Sequence, residues 1–470
     1  MEASALFQLW SSLRLPERRQ LRAFLRSGWS RPRREALDLC DILLGASDAA
    51  LRSMDKSVLF ARLFPGETYD NLRLNHAFSY LSGQIEQFLG YREIDQEPLW
   101  RELFICRALR RRGLSRAFEY RLAQLEAGCR NHLRRNADWH LLRYQIGQEK
   151  MAHHFLNERE AAADLSNVTD ALTRFFVLEH IRWSATALSL QSLYGGPAQP
   201  LPLSAAVMQE ADAMIVEQAP AVEIIRRAYL AQFDIEDEDN FKRLKTLITV
   251  HLNQFSPAEG RDLYMAGINF CLRRHNRGER PAYTLEALAL YRDALERGLL
   301  FENGILPKYT YNNIARLSCL AGERSFAGAF IESYHQFLPL AERENLHRFN
   351  LAIFHYLGAA YDRIPALLQT FEFKDTYTNI HARQMLVKSY FELGEWQALT
   401  SLLDSTYTYL RRKKEIGYHR ETILNFIKFT RKLIKSGSGS ERRKHALIAR
   451  VQAEKYVAER EWLVQKLLKI

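Results

Sequence analysis

The feature that most constrains this chain is a repeat in the stretch 313–402. Phe326, Tyr361 and Trp396 follow one another at intervals of 35 residues, and Gly322, Gly358 and Gly394 at intervals of 36. Each repeat reads as an apolar helix, a turn carrying Gly or Asp, an aromatic, and a second helix containing alanine. Thus Ile314-Ala315-Arg316-Leu317 leads into Gly322-Glu323-Arg324-Ser325-Phe326-Ala327, as Met385-Leu386-Val387 leads into Gly394-Glu395-Trp396-Gln397-Ala398-Leu399. One helical pair cannot bury its apolar face without neighbours, so a period near 35 predicts stacked helical hairpins.

The rest of the chain keeps this habit and loses the register. A hydrophobic share of 47% suits a packed protein, and only 22 Gly and 13 Pro interrupt 470 residues. No extended run alternates apolar and polar residues with period two, so the expectation is all-α. Leu6, Trp10 and Leu13 open an amphipathic helix. Pro16 starts another, with Leu21, Phe24 and Leu25 inward and Arg18, Arg19, Arg22 and Arg26 outward. Asp55 caps a short helix that ends at Phe64-Pro65-Gly66, and a long helix follows the Tyr69-Asp70 cap. Along it, Leu74, Phe78, Leu81, Ile85 and Phe88 form one apolar seam.

Helices are then expected at about 99–112, 115–134, 138–160, 169–190, 205–216, 221–233 and 241–252, before a hairpin at 263–274 and 281–295. The stretch 193–202, rich in Pro and Gly, is the clearest internal break, and Ser436-Gly437-Ser438-Gly439-Ser440 reads as a linker. The expected organisation is an N-terminal helical unit (1–95), helical hairpins (96–192), tetratricopeptide-like repeats (204–435) and a single C-terminal helix (441–470). That last helix would put Tyr456, Leu463, Leu467 and Ile470 on one side and cap the array; the alternative is a tethered helix that docks on another protein.

The net charge of +11 is unevenly placed. Basic clusters occupy 13–34, 101–136 and 411–444, and together they exceed the net charge of the whole chain, so the remainder is acidic. Arg110, Arg111, Arg112, Arg411, Arg412, Lys413 and Lys414 are the candidate anion- or partner-binding residues, since runs of this kind can hold phosphates without reading sequence. The competing reading is a solvated helix face. Five widely spaced cysteines, with no CxxC among them, predict buried free thiols. Residues 1–15 lack the features of a signal peptide, and no stretch is apolar enough to span a bilayer, so a cytoplasmic location is expected.

Motifs for chemistry are sparse. There is no glycine-rich phosphate loop, HExxH, GxSxG or paired-cysteine ligand set, and adjacent His153 and His154 point about 100° apart on a helix. No cofactor or metal is expected. The acidic run 234–239 lacks the ligand alternation of a calcium loop and reads as a capping segment. The short helix, Pro-Gly turn and long helix at 55–89 have the outline of a winged-helix DNA binder. The long helix offers only Arg73 and His76 as basic residues, and no wing follows, so a plain packing unit is expected. Arg135-Asn136-Ala137-Asp138-Trp139-His140 has the R-N-x-x-x-H form of helical ribonucleases, with His140 as acid or base and Arg135 as phosphate clamp. Its surroundings read as an ordinary helix start capped by Asp138.

The repeat resembles the tetratricopeptide-like superfamily in its period and Gly-x-aromatic turn, and departs from it in lacking the regular Pro at each repeat end. The chain is also similar to a family of all-helical proteins from Bacteroidetes-type bacteria. The patches that carry this likeness are 56–89, Arg112-Gly113-Leu114, Phe371-Glu372-Phe373-Lys374-Asp375, Phe391-Glu392-Leu393-Gly394-Glu395 and Glu459-Arg460-Glu461-Trp462-Leu463. At the position of His140 that family is expected to show another large aromatic. The likeness implies architecture and brings no chemistry. The expected fold is therefore a right-handed α-solenoid of stacked helical hairpins. The expected function is a non-catalytic scaffold or adaptor that binds a protein partner. An electrostatic nucleic-acid or anionic-surface binder is the alternative, and a ribonuclease using Arg135 and His140 the remote one.

Overall fold

The computed structural model of the chain describes residues 4–27, 33–157, 165–194, 202–217, 219–278, 282–369, 375–412, 418–436 and 441–469. Every regular element among them is helical, and a lone bridge between Glu302 and Ile305 only closes a turn. No helix among them is long and apolar enough to cross a membrane. Contacts divide the chain into two units, residues 1–133 with 137–175 and residues 134–136 with 176–470. The division falls at Phe175, inside a helix, and not in the stretch 193–202, of which 195–201 lie outside the described residues.

In the first unit, α1 (Ala5–Ser12), α2 (Leu15–Arg26) and α3 (Arg34–Leu44) pack against a 26-residue helix; α4 (Asp48–Ser53) and α5 (Lys56–Leu63) precede that helix, α6 (Asn71–Gln96). The seam Leu74, Phe78, Leu81, Ile85 and Phe88 is buried throughout, as its spacing predicts. Asp70 starts α6 by accepting from Leu72 N and Arg73 N, and Asp55 caps α5 in the same way through Ser57 N. Residues 90–94, where a wing would have to begin, continue α6. Arg18 departs from its expected outward position: it is buried, with its guanidinium 5.1 Å from the Trp10 ring and donating to Trp10 O. Trp10 fills the centre of this core, and a cation–π contact plus a carbonyl acceptor let one guanidinium enter beside it. Helices α7 (Pro98–Arg111), α8 (Ser115–Asn131) and α9 (Ala137–Asn157) complete the unit around Leu103, Cys106, Phe118 and Leu122. The next helix, α10 (Ser166–Tyr194), begins in it.

The second unit continues with α11 (Ser204–Val216), α12 (Pro220–Phe233), α13 (Glu238–His251), α14 (Pro257–Asn276) and α15 (Ala282–Glu296). The acidic segment works as a cap: Asp237 accepts from Asp239 N at the start of α13, while Glu236 and Glu238 pair with Arg274. The registered repeats then appear as hairpins, α16 (Lys308–Leu320) with α17 (Arg324–Tyr334), α18 (Arg343–Leu357) with the short α19 (Ile364–Leu368), and α20 (Thr376–Leu393) with α21 (Trp396–Arg412). The first helix of each hairpin packs on the first helix of the next, α16 on α18 and α18 on α20.

The three repeat glycines have different physical reasons. Gly322 and Gly394 end their helices at φ +81° and +74°, the left-handed conformation in which a Cβ costs energy. Gly358 has φ −95°, and the left-handed residue of that turn is Ala359 at +56°. Gly358 leaves room for a neighbour: a Cβ there would displace the Arg324 guanidinium, which lies over Phe354 and donates to Phe354 O.

The C-terminal segment differs from the expected single helix. After α22 (Tyr418–Ser436) it forms α23 (Glu441–Ala453) and α24 (Arg460–Lys469), with 454–459 between them and Glu459 at φ +52°. Trp462, Leu463 and Leu467 are buried in the same core as α20 and α22, and Asn425 Nδ2 donates to Tyr456 O across the break. Ile470 lies outside the described residues. All five cysteines are free. Burial pushes the thiols of Cys40 and Cys271 up to about 12 and that of Cys106 to about 11, as small hydrophobes in a dry core should behave.

Candidate functional site

The repeat places one face of three first helices along a common trough of roughly 300 Å³. On α16 that face is Tyr309, Asn312, Asn313 and Arg316; on α18 it is Phe349, Ile353 and Tyr356; on α20 it includes Thr378, His381 and Gln384. Steps of three and four residues put these side chains on one side of each helix. The trough is polar along α16 and α20 and apolar along α18. Tyr309 stands 62% exposed at its lip.

Hydrogen bonds fix the polar side chains. Asn350, fully buried behind the trough, donates Nδ2 to Asn312 Oδ1 at 2.7 Å and to Leu346 O at 2.8 Å. Asn313 donates to the Tyr291 hydroxyl at 3.1 Å. Asp375 caps α20 through Thr378 N, leaving the trough wall at that end acidic. Each amide is therefore held in one orientation by the helices behind it.

One end of the trough is closed by the break between α23 and α24. The Glu459 carboxylate accepts from the Tyr356 hydroxyl at 2.8 Å, from Gln384 Nε2 at 3.2 Å and from Lys388 Nζ at 3.3 Å. Lys388 also lies 4.7 Å from the Tyr356 ring centre. Burial, followed by the Glu459 charge, pushes the Tyr356 hydroxyl far above the usual tyrosine range, so it remains a donor. These three charge-assisted contacts hold Glu459 in its left-handed conformation, which a non-glycine residue otherwise avoids. Nearby, Glu392 accepts from Trp462 Nε1 at 2.7 Å and from Lys466 at 2.5 Å.

A second pocket of about 280 Å³ lies between α10, α12 and α14, lined by Arg182, Ser189, Gln232, Glu259 and Asp262 among others. Glu259 is committed to its helix cap, accepting from Ser256 N, Ser256 Oγ and Asn136 Nδ2. The trough differs in being built by successive repeats.

The sequence-derived candidates are scattered. Arg110 is largely withdrawn: its Nε donates to Glu149 Oε2 at 2.6 Å while Arg107 Nε donates to Oε1 at 2.5 Å. These two guanidiniums outweigh the burial that opposes them and hold the Glu149 carboxyl below its ordinary value. Arg111 and Arg112 are exposed at the end of α7, and Arg411 and Arg412 at the end of α21. Lys413 and Lys414 lie outside the described residues. His140 is buried, edge-on to Trp139 at 4.8 Å, and Arg135 bonds through its amide to Gln254 O and through its guanidinium to Arg134 O. His153 packs on Phe118 and contacts Glu119.

The trough was open to sequence reasoning through the i, i+3, i+4 spacing of polar residues on the first helices, but such faces look like ordinary solvated surface. A cluster of potential metal ligands, Glu332, His335 and His347, was not anticipated either. Its signal is a doubled Glu-x-x-His spacing, Glu332 with His335 and Glu344 with His347. No family model, curated protein or solved structure gives a match to this chain.

Proposed function

We propose that this protein is a non-catalytic scaffold that holds a segment of a partner protein in the trough formed by α16, α18 and α20. On this reading the second unit is a right-handed, tetratricopeptide-like α-solenoid, and α24 caps its end. The observation that carries the proposal is the alignment of three consecutive repeat helices on one trough, with fixed amides on its flanks and an apolar floor. An extended chain needs donors and acceptors for its backbone and shelves for its side chains, and this surface supplies both. Tyr309, exposed at the lip of the trough, suits the role of an aromatic anchor. The reading assigns no catalytic role to Arg135 or His140, and goes with a cytoplasmic location.

The electrostatic alternative rests on Arg111, Arg112, Arg411 and Arg412. It is the weaker reading because Arg110, the first member of the first run, is engaged by Glu149. Affinity capture from native extract with the full-length chain separates the two. A polypeptide partner that survives nuclease treatment and is lost from a Tyr309→Ala, Arg316→Ala variant supports the scaffold. Partners lost to nuclease and indifferent to that variant would overturn it.

A further inference from the structure

Helix α17 ends in a 3-10 turn, His335–Phe337, and the chain reverses through residues 338–342 into α18. This reversal brings together Glu332 and His335 from the end of one helix and His347 from the second turn of the next. One ligand atom from each lies within 4.8 Å of the other two. The imidazoles of His335 and His347 stack, with ring centres 4.5 Å apart and planes inclined by 26°.

The hydrogen bonding prepares these rings as ligands. His335 Nδ1 donates to Glu332 O at 2.7 Å, and because a carbonyl only accepts, the proton is fixed on Nδ1 and the Nε2 lone pair is left available. An outer hydrogen bond to a backbone carbonyl is the usual device by which a metal-binding histidine is oriented. His347 Nε2 is shielded from solvent and has no hydrogen-bond partner among the described residues, although Glu332 Oε2 is 3.5 Å away. A shielded polar nitrogen without a partner needs an explanation, and a bound cation supplies one.

We propose that Glu332, His335 and His347 form a binding site for a zinc-class divalent metal ion, with the fourth coordination position open to water. Two imidazole nitrogens and one carboxylate are a ligand set that suits such an ion. Metal–ligand bonds near 2.1 Å in a tetrahedron separate ligand atoms by about 3.4 Å. His347 Nε2 and Glu332 Oε2 already stand at 3.5 Å, and the other separations, within 4.8 Å, would close by rotation of the three side chains. The ion would clip the second helix of one hairpin to the first helix of the next. That helix, α18, carries Phe349, Ile353 and Tyr356 to the trough floor.

The test uses the full-length chain stripped of metal by a chelator and titrated with Co2+ as a spectroscopic probe. Zn2+ affinity is then measured by competition against a chromophoric chelator. One equivalent of Co2+ should bind with the visible absorption of a nitrogen- and oxygen-ligated four-coordinate site, and Zn2+ should displace it. Loss of an outer-shell partner typically weakens a metal site by about 10–100-fold, so His347→Ala and His335→Ala should each weaken Zn2+ binding by at least about 100-fold. Glu332→Gln, which keeps the side-chain shape, should weaken it by at least about 10-fold. Circular dichroism of each variant checks that the helices persist. No stoichiometric uptake at micromolar metal, or uptake that survives loss of both histidines in a folded variant, overturns the proposal.

Discussion

Trp462→Ala tests whether the C-terminal segment is an integral part of the second unit's core. The indole is 6% exposed, lies edge-on to Phe391 at 5.1 Å and tilted against Phe426 at 6.0 Å, and donates to Glu392. Burying about 200 Å² of tryptophan surface at about 25 cal/mol per Å² gives about 5 kcal/mol. Compaction of the unfolded chain lowers this to about 3–4 kcal/mol, within the range known for Trp→Ala in cores. The lost hydrogen bond adds little, because Lys466 keeps the Glu392 carboxylate paired. Trp462→Phe retains most of the ring packing and should cost only about 1–2 kcal/mol, chiefly the hydrogen bond and the smaller ring. Proteins open locally as well as globally, so the measurement is native-state amide hydrogen exchange in α22 and α24. Exchange in α24 should accelerate by about 100-fold or more in Trp462→Ala, as a loss of about 3 kcal/mol requires. Wild-type protection in that variant would show that α24 is not held by this core, and the reasoning would fail.

Gly394→Ala should destabilise by about 1–2 kcal/mol in chemical unfolding, since the left-handed cap at φ +74° disfavours a Cβ although space is available. Gly358→Ala should destabilise by steric displacement of Arg324, and Arg324→Ala in the same chain should restore much of the loss. Removing Glu149 as Glu149→Ala leaves two converging guanidiniums without their shared carboxylate and should cost about 3 kcal/mol. Because the folded state depresses the Glu149 carboxyl, its contribution is present above the unfolded carboxylate value and is lost as pH falls through the folded one. The gap in urea midpoint between wild type and Glu149→Gln should therefore close on acidification below about pH 4. The thiols of Cys40 and Cys271, pushed up to about 12, should resist a thiol-exchange reagent at pH 8 until denaturant is added.

The parts legible in the sequence were those with long periodic signals. The seam of α6 and the 35-residue register required no tertiary knowledge, because burial repeats with the helix or with the hairpin. The parts that were not legible depend on contacts between residues far apart. Arg18 reads as surface on a helical wheel, and only the Trp10 ring and carbonyl explain its burial. The break before α24 carries neither Gly nor Pro. It is stabilised by Tyr356, Gln384 and Lys388 holding the Glu459 carboxylate, partners more than 70 residues away. Arg110 looked like an exposed run member for the same reason: Glu149 lies on a different helix. The trough itself follows from the repeat, while its fixed amides and the histidine pair follow from packing that the repeat does not encode.

The most direct test of the scaffold reading is site-specific photo-crosslinking in native extract, with the photoreactive residue placed in turn at Tyr309, in the trough, and at Tyr120, an exposed residue on α8. The account predicts one nuclease-resistant polypeptide adduct from position 309 that is absent from position 120. Equal adduct patterns at the two positions, or an adduct at 309 that disappears with nuclease, would contradict it.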